Sequence, residues 1–242
     1  MKRPLALLLV VVLILLAAAP ALAEPPTDSK DTIKLKVFVH YPKPGKPAPQ
    51  PDACDPTAND QVSTYGLAGW KHSGTVTYRV NYASIPRSVA NAKAAITASY
   101  AVWDQQAPGT TFVEGPTTTA TRYKLDGINL VSWGSVSAAG AIAVTYTWYN
   151  SVTKVVVEQD IIMNVKLPWA HTDVSNPDAT CGVPTAYEVQ NILTHEVGHV
   201  FGLDDLYESA EQDLTMYGYG AKGELKKETL GRGDLMGIGV LY

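Results

Sequence analysis

Apolar and polar residues alternate in residues 32–41, Thr-Ile-Lys-Leu-Lys-Val-Phe-Val-His-Tyr, which predicts a strand. Residues 75–82 alternate in the same way. The period then changes. Val89, Ala92, Ile96, Ser99 and Trp103 recur at helical spacing, Pro86 opens the pattern and Gly109 lies just beyond it, so a helix is expected over 86–106. Three β-rich stretches follow at 127–133, 141–148 and 155–163, with Asn150-Ser151 as a turn between the last two. A second helix is expected over 185–202. Thr185 and Glu188 fit a capping box, Val189, Ile192, Leu193, Val197 and Val200 form its apolar stripe, and Gly202 suits its C-terminal cap. No internal repeat is visible.

The ends of the chain change this picture. Lys2 and Arg3 precede an apolar run, and Pro20 followed by Ala21-Leu22-Ala23 has the form of a leader-peptide cleavage site. Residues 1–23 therefore read as a signal peptide, with the mature chain starting at Glu24 and a secreted, extracellular protein expected. The competing reading is an uncleaved anchor, because residues 4–23 are nearly long enough to span a bilayer. Residues 41–51 carry a proline at every second or third position and read as a stiff connector. Residues 24–62 are thus an N-terminal strand and connector, and 63–242 form one domain with its own core.

Charge excludes one class of partner. Losing Lys2 and Arg3 from the 19 basic residues leaves 17 against 23 acidic ones, a net charge of −6, and no basic patch suggests nucleic acid. Of the two cysteines, Cys54 and Cys181, an oxidising compartment would make one disulfide, worth about 4–5 kcal/mol in the chain-entropy model. Two unpaired thiols are the alternative.

The chemistry lies in the second helix. His195-Glu196-Val197-Gly198-His199 places two imidazoles one turn apart on one face, where both reach a single ion. Neutral imidazole is a zinc ligand, and zinc acidifies water bound to it. Glu196 stands beside the first ligand as a general base for that water. A catalytic zinc needs three protein ligands and an open position. The remaining histidines, His40, His72 and His171, are remote in sequence. Gly202 can turn the chain sharply, which brings Asp205 back to the metal, with Asp204 as the rival one residue short.

The completed pattern, His-Glu-x-x-His-x-x-Gly-x-x-Asp at 195–205, resembles the metzincin zinc endopeptidases, and the wider chain from about 64 to 242 is similar to their secreted bacterial-type matrixin branch. The resemblance implies a zincin-like α+β fold: a twisted mixed sheet with both helices on one side, a Met-containing turn at Met216 beneath the metal, and a closing helix in 230–242. It implies one catalytic zinc and cleavage of protein or peptide substrates, extended along an edge strand at 141–148. Matrixins place His where this chain has Asp205, and in this respect the chain is similar to snapalysin-type metzincins. Histidines matching a structural second zinc are missing at Val144 and Ile162, so none is expected.

Other candidates carry weaker readings. Cys181-Gly-Val-Pro184 resembles the matrixin cysteine switch, but it precedes the active-site helix within the domain. Cys54 lies upstream, as an inhibitory thiol should, without the switch pattern. Asp173 and Asp178 are candidate calcium ligands. His171 reads as a packing residue, and Tyr217 and Tyr219 receive no role. A monomer without stable membrane association is expected. The rival function is a non-catalytic extracellular module that keeps the metal as a structural element, which Glu196 argues against, since a structural site needs no base.

Overall fold

A computed structural model describes residues 32–45, 60–173 and 182–242. The leader or anchor segment, most of the proline-rich connector, both cysteines of the expected disulfide and Asp178 lie outside them. Among the described residues no helix is long and apolar enough to cross a membrane.

Among the described residues the fold is α+β, with a mixed sheet and three α-helices. Its strands and helices in chain order are β1 (Ile33–Pro42), β2 (Gly66–Leu67), β3 (Gly74–Val80), α1 (Ala92–Asp104), β4 (Thr110–Glu114), β5 (Asn129–Gly134), β6 (Ala143–Asn150), β7 (Val156–Asn164), β8 (Trp169–Ala170), β9 (Tyr187–Glu188), α2 (Val189–Phe201), β10 (Leu203–Asp204), β11 (Tyr219–Gly220) and α3 (Arg232–Leu241). The seven-stranded sheet has the order β11-β1-β6-β7-β5-β3-β4. The run β7, β5, β3, β4 is parallel, whereas β6 is antiparallel to both β7 and β1.

Strand alternation sorts the side chains between two cores. Val80, Val131, Trp133, Ile161 and Met163 pack with α1 and α2 in the main core. Their neighbours Leu130, Ile162, Val144, Tyr146 and Trp148 form a smaller core on the opposite face. Both long helices therefore lie on one side of the sheet. Trp103 of α1 ties them together: its indole Nε1 donates to the Thr194 carbonyl at 2.8 Å.

Three expectations need correction. Helix α1 starts at Ala92, because Asn91 is left-handed at φ 51 and breaks the run from Pro86. Val89 still packs on the main core from the preceding turn. Helix α2 starts at Val189, not Thr185. Tyr187 and Glu188 are taken by parallel pairing with Trp169 and Ala170, and the Glu188 carboxylate itself caps the helix by accepting from the Asn191 N–H at 2.5 Å. The 141–148 stretch is no sheet edge, because β1 pairs along β6 from Ile33↔Asn150 to His40↔Ala143. Gly202 does cap α2, at φ 105, and a Cβ there would lie 2.3 Å from the Trp70 carbonyl oxygen.

Burial also sets an acid limit on the fold. His72 Nε2 donates to Gln159 Oε1 at 2.9 Å, and burial pulls the His72 pKa down to about 4. An unfolded His titrates near 6.5 and binds its proton first, so this contribution is complete above pH 6.5 and is lost as pH falls toward 4. At pH 5 the loss amounts to about 2 kcal/mol. Urea unfolding at pH 7 and pH 5 should show a drop in stability that is smaller by this amount in His72→Gln.

Candidate metal centre

Helix α2 presents His195 and His199 on the face turned to the sheet, and the chain returns through Gly202 to Asp205. Asp205 Oδ1 lies 3.2 Å from His195 Nε2 and 3.5 Å from His199 Nε2. The three form one group whose ligand atoms fall within 4.8 Å of one another and could hold a metal ion. The opposite ring nitrogens are fixed by carbonyls: His195 Nδ1 is 2.8 Å from the Thr215 oxygen and His199 Nδ1 is 3.0 Å from the Leu203 oxygen. Each Nδ1 therefore carries the proton as donor, which leaves both Nε2 lone pairs free for a cation.

Buried polar atoms without partners gather at this group. His195 Nε2, Asp205 Oδ1, Glu196 Oε1 and His40 Nδ1 are all buried without a hydrogen-bond partner, although they converge on one region. Such convergence costs free energy unless a ligand satisfies it. The side chains of the group shift one another unequally. Burial pulls His195 down to about 3, with Lys227 adding to the effect. For Asp205, burial is outweighed by the two imidazoles, which hold the carboxyl far below the usual range. For His199, burial is outweighed by Asp205, and its pKa is raised.

Asp204, the rival ligand, is directed elsewhere. Its Oδ2 accepts from Lys36 Nζ at 2.8 Å. His171 is paired with the Glu188 carboxylate, its Nδ1 2.8 Å from Oε1.

Glu196 is fully buried next to this group. Thr145 of β6 donates to its Oε2 at 2.5 Å and leaves Oε1 directed toward the convergent atoms. Burial lifts Glu196 to about 7, opposed by His199 and by the Thr145 hydroxyl. A carboxylate balanced near neutrality can both take and return a proton.

Met216 lies under the centre, and Asp234 of α3 holds the turn. Its carboxylate accepts from the N–H groups of Thr215, at 2.8 Å, and of Met216, at 3.0 Å. The close approach needs a glycine on α2. A Cβ at Gly198 would fall 2.2 Å from Met216 Sδ and 2.9 Å from Trp103 Cζ2. Gly198→Ala should therefore destabilise the fold by about 2 kcal/mol despite the better helix propensity. Gly239→Ala, with nothing within 4 Å in helix α3, should be neutral or stabilising. Urea midpoints of the two variants check the contrast.

The structure brings together His195, Glu196, His199, Asp205 and Met216. It also adds residues that sequence reading missed. His40 and Phe38 of β1 lie on the two ligand imidazoles, with ring centroids 3.9 Å apart in each case. Thr145 orients Glu196. Lys227 is fully buried, donates to the Tyr217 carbonyl and stands 3.5 Å from His40 Nε2. Burial, with the Asp205 carboxylate nearby, pushes the Tyr207 hydroxyl above its usual range. The alternation that predicted β1 put Phe38 and His40 on one face, but nothing in the sequence said which element that face would meet.

No protein-family model matches this chain, and no curated protein matches it.

Proposed function

We propose that this chain is a zinc endopeptidase of metzincin type, with His195, His199 and Asp205 as the metal ligands and Glu196 as the general base. The observation that carries the reading is the pairing of two features. Three ligand atoms converge, two of them (His195 Nε2 and Asp205 Oδ1) buried without a hydrogen-bond partner, and a buried carboxylate outside that group has its own partnerless oxygen in the same region. A structural site requires only the first. A bound zinc ion would supply Lewis-acid polarisation and acidify water at the site.

The protein's own groups do the rest. Glu196 Oε1 accepts a proton from the attacking water and returns it to the amine that leaves, while Thr145 keeps the carboxylate from swinging away. Asp205 brings negative charge to the centre, and the Thr215 and Leu203 carbonyls fix both imidazoles in the tautomer that leaves Nε2 free to ligate. The Met216 turn and helix α3 keep this floor rigid. A polypeptide fits better than a small molecule, since an extended strand, β1, already pairs along β6 beside Glu196 as an extended substrate would. Secretion fits the leader-like first 23 residues.

The test uses zinc-loaded protein on casein, both intact and after cutting within residues 46–59. Chelator-sensitive cleavage by either form, lost in Glu196→Gln, supports the reading. If both forms bind one zinc and neither cleaves casein, the metal is a structural element and the peptidase reading falls.

A further inference from the structure

The metal group is closed. His195, His199 and Glu196 are each at most 1% exposed and the Asp205 side chain is 8% exposed, so no substrate reaches them in this arrangement. What covers them is β1. It fills the space between two flanking strands, antiparallel to β6 over Ile33–His40 and parallel to β11 at Tyr41 and Pro42. Its inward residues, two apart, reach the loop after α2 and the centre itself. Lys36 pairs with Asp204, Phe38 stacks flat on His199 at 10°, and His40 tilts over His195 with its Nδ1 3.3 Å from Glu196 Oε1.

We infer that β1 is a built-in occupant of the peptide-binding groove, in which His40 blocks the free oxygen of Glu196 and Phe38 covers His199, so that the chain is latent until this segment leaves. The inference rests on the peptidase reading above.

Two features show that β1 is suited to leaving. Only Phe38 and His40 are buried among its ten residues, whereas Leu35, Val37 and Tyr41 are each about 40% exposed. Neighbouring β6 also pairs with β7 from Ala143↔Met163 to Tyr149↔Val156, which holds it in the sheet without β1. Departure would also free the outer backbone row of β6, the feature an incoming extended peptide needs. The same register defines how substrate lies: antiparallel to β6 and parallel to β11, with alternate side chains directed at the metal group.

The experiment compares three zinc-loaded forms: the intact chain, the full-length Phe38→Gly/His40→Gly variant, and the chain cut by a specific protease at a site placed between residues 45 and 60, then gel-filtered. The probe is a fluorescein-labelled tetrapeptide ending in a hydroxamate, read by fluorescence anisotropy. If the open state is about 1% populated in the intact chain, it should bind the probe about 100-fold more weakly than the other two. The cut chain should lose residues 24–45 on the column as it gains binding. Should the double variant fail to fold, the cut chain decides. Equal binding by intact and cut protein would overturn the latency while leaving the peptidase reading intact. Silence of all three forms with zinc bound, toward both probe and casein, would overturn both.

Discussion

Glu196→Gln is expected to lower casein cleavage by the opened enzyme by about 10²–10⁴-fold while zinc remains bound at one per chain. Glutamine keeps the size of the side chain and can still take the Thr145 hydrogen bond that reaches Glu196 at 2.5 Å. What it removes is the group that accepts the proton. Burial lifts this carboxyl to about 7, so the change also removes a pH dependence. In the opened, zinc-loaded enzyme the wild-type carboxylate takes up a proton below its own pKa there and can no longer act as base, so activity should fall on the acid side. The residual rate of the glutamine variant should show no such limb. Initial rates from pH 5 to 9 for the two proteins, with zinc content measured in parallel, separate loss of the base from loss of the metal.

Asp205→Ala should have the other large effect, on binding instead of turnover. Removing a group that touches the metal should weaken zinc by more than the roughly 10–100-fold typical of supporting residues around a metal site. The zinc-dependent rise in melting temperature should largely vanish with it. Asp204→Ala should keep the zinc, since Asp204 is engaged with Lys36 on β1. It should loosen β1 instead and raise probe binding by the intact chain. Competition with a chromophoric chelator measures both. Loss of zinc in Asp204→Ala with retention in Asp205→Ala would mean that the chain returns to the metal one residue earlier.

What the sequence revealed and what it hid divide along physical lines. The His195–His199 spacing, Glu196 and Gly202 were legible because helical geometry alone determines which residues share a face and where a left-handed cap must fall. Most of the strand pattern was legible from alternation, including β1. Helix starts were not. Asn91 interrupts α1 with a backbone state that many sequences permit, and Glu188 caps α2 only because Tyr187 is drawn into pairing with Trp169. These are tertiary choices that override local capping signals. The largest omission was the role of β1. Period-two alternation gives a strand two faces but no partner, so the match between Phe38 and His199, or His40 and Glu196, could emerge only once β6 and β11 were seen to flank it. Thr145 and Lys227 were hidden for the same reason.

A catalytic zinc held by His195, His199 and Asp205 can be located by anomalous diffraction at the zinc edge from crystals of the zinc-loaded chain. The expected result is one peak within about 2.0–2.2 Å of His195 Nε2, His199 Nε2 and an Asp205 carboxylate oxygen, with Glu196 outside the ligand set. A zinc-loaded protein whose peak lies elsewhere, or whose metal is ligated by Glu196 itself, would contradict this assignment.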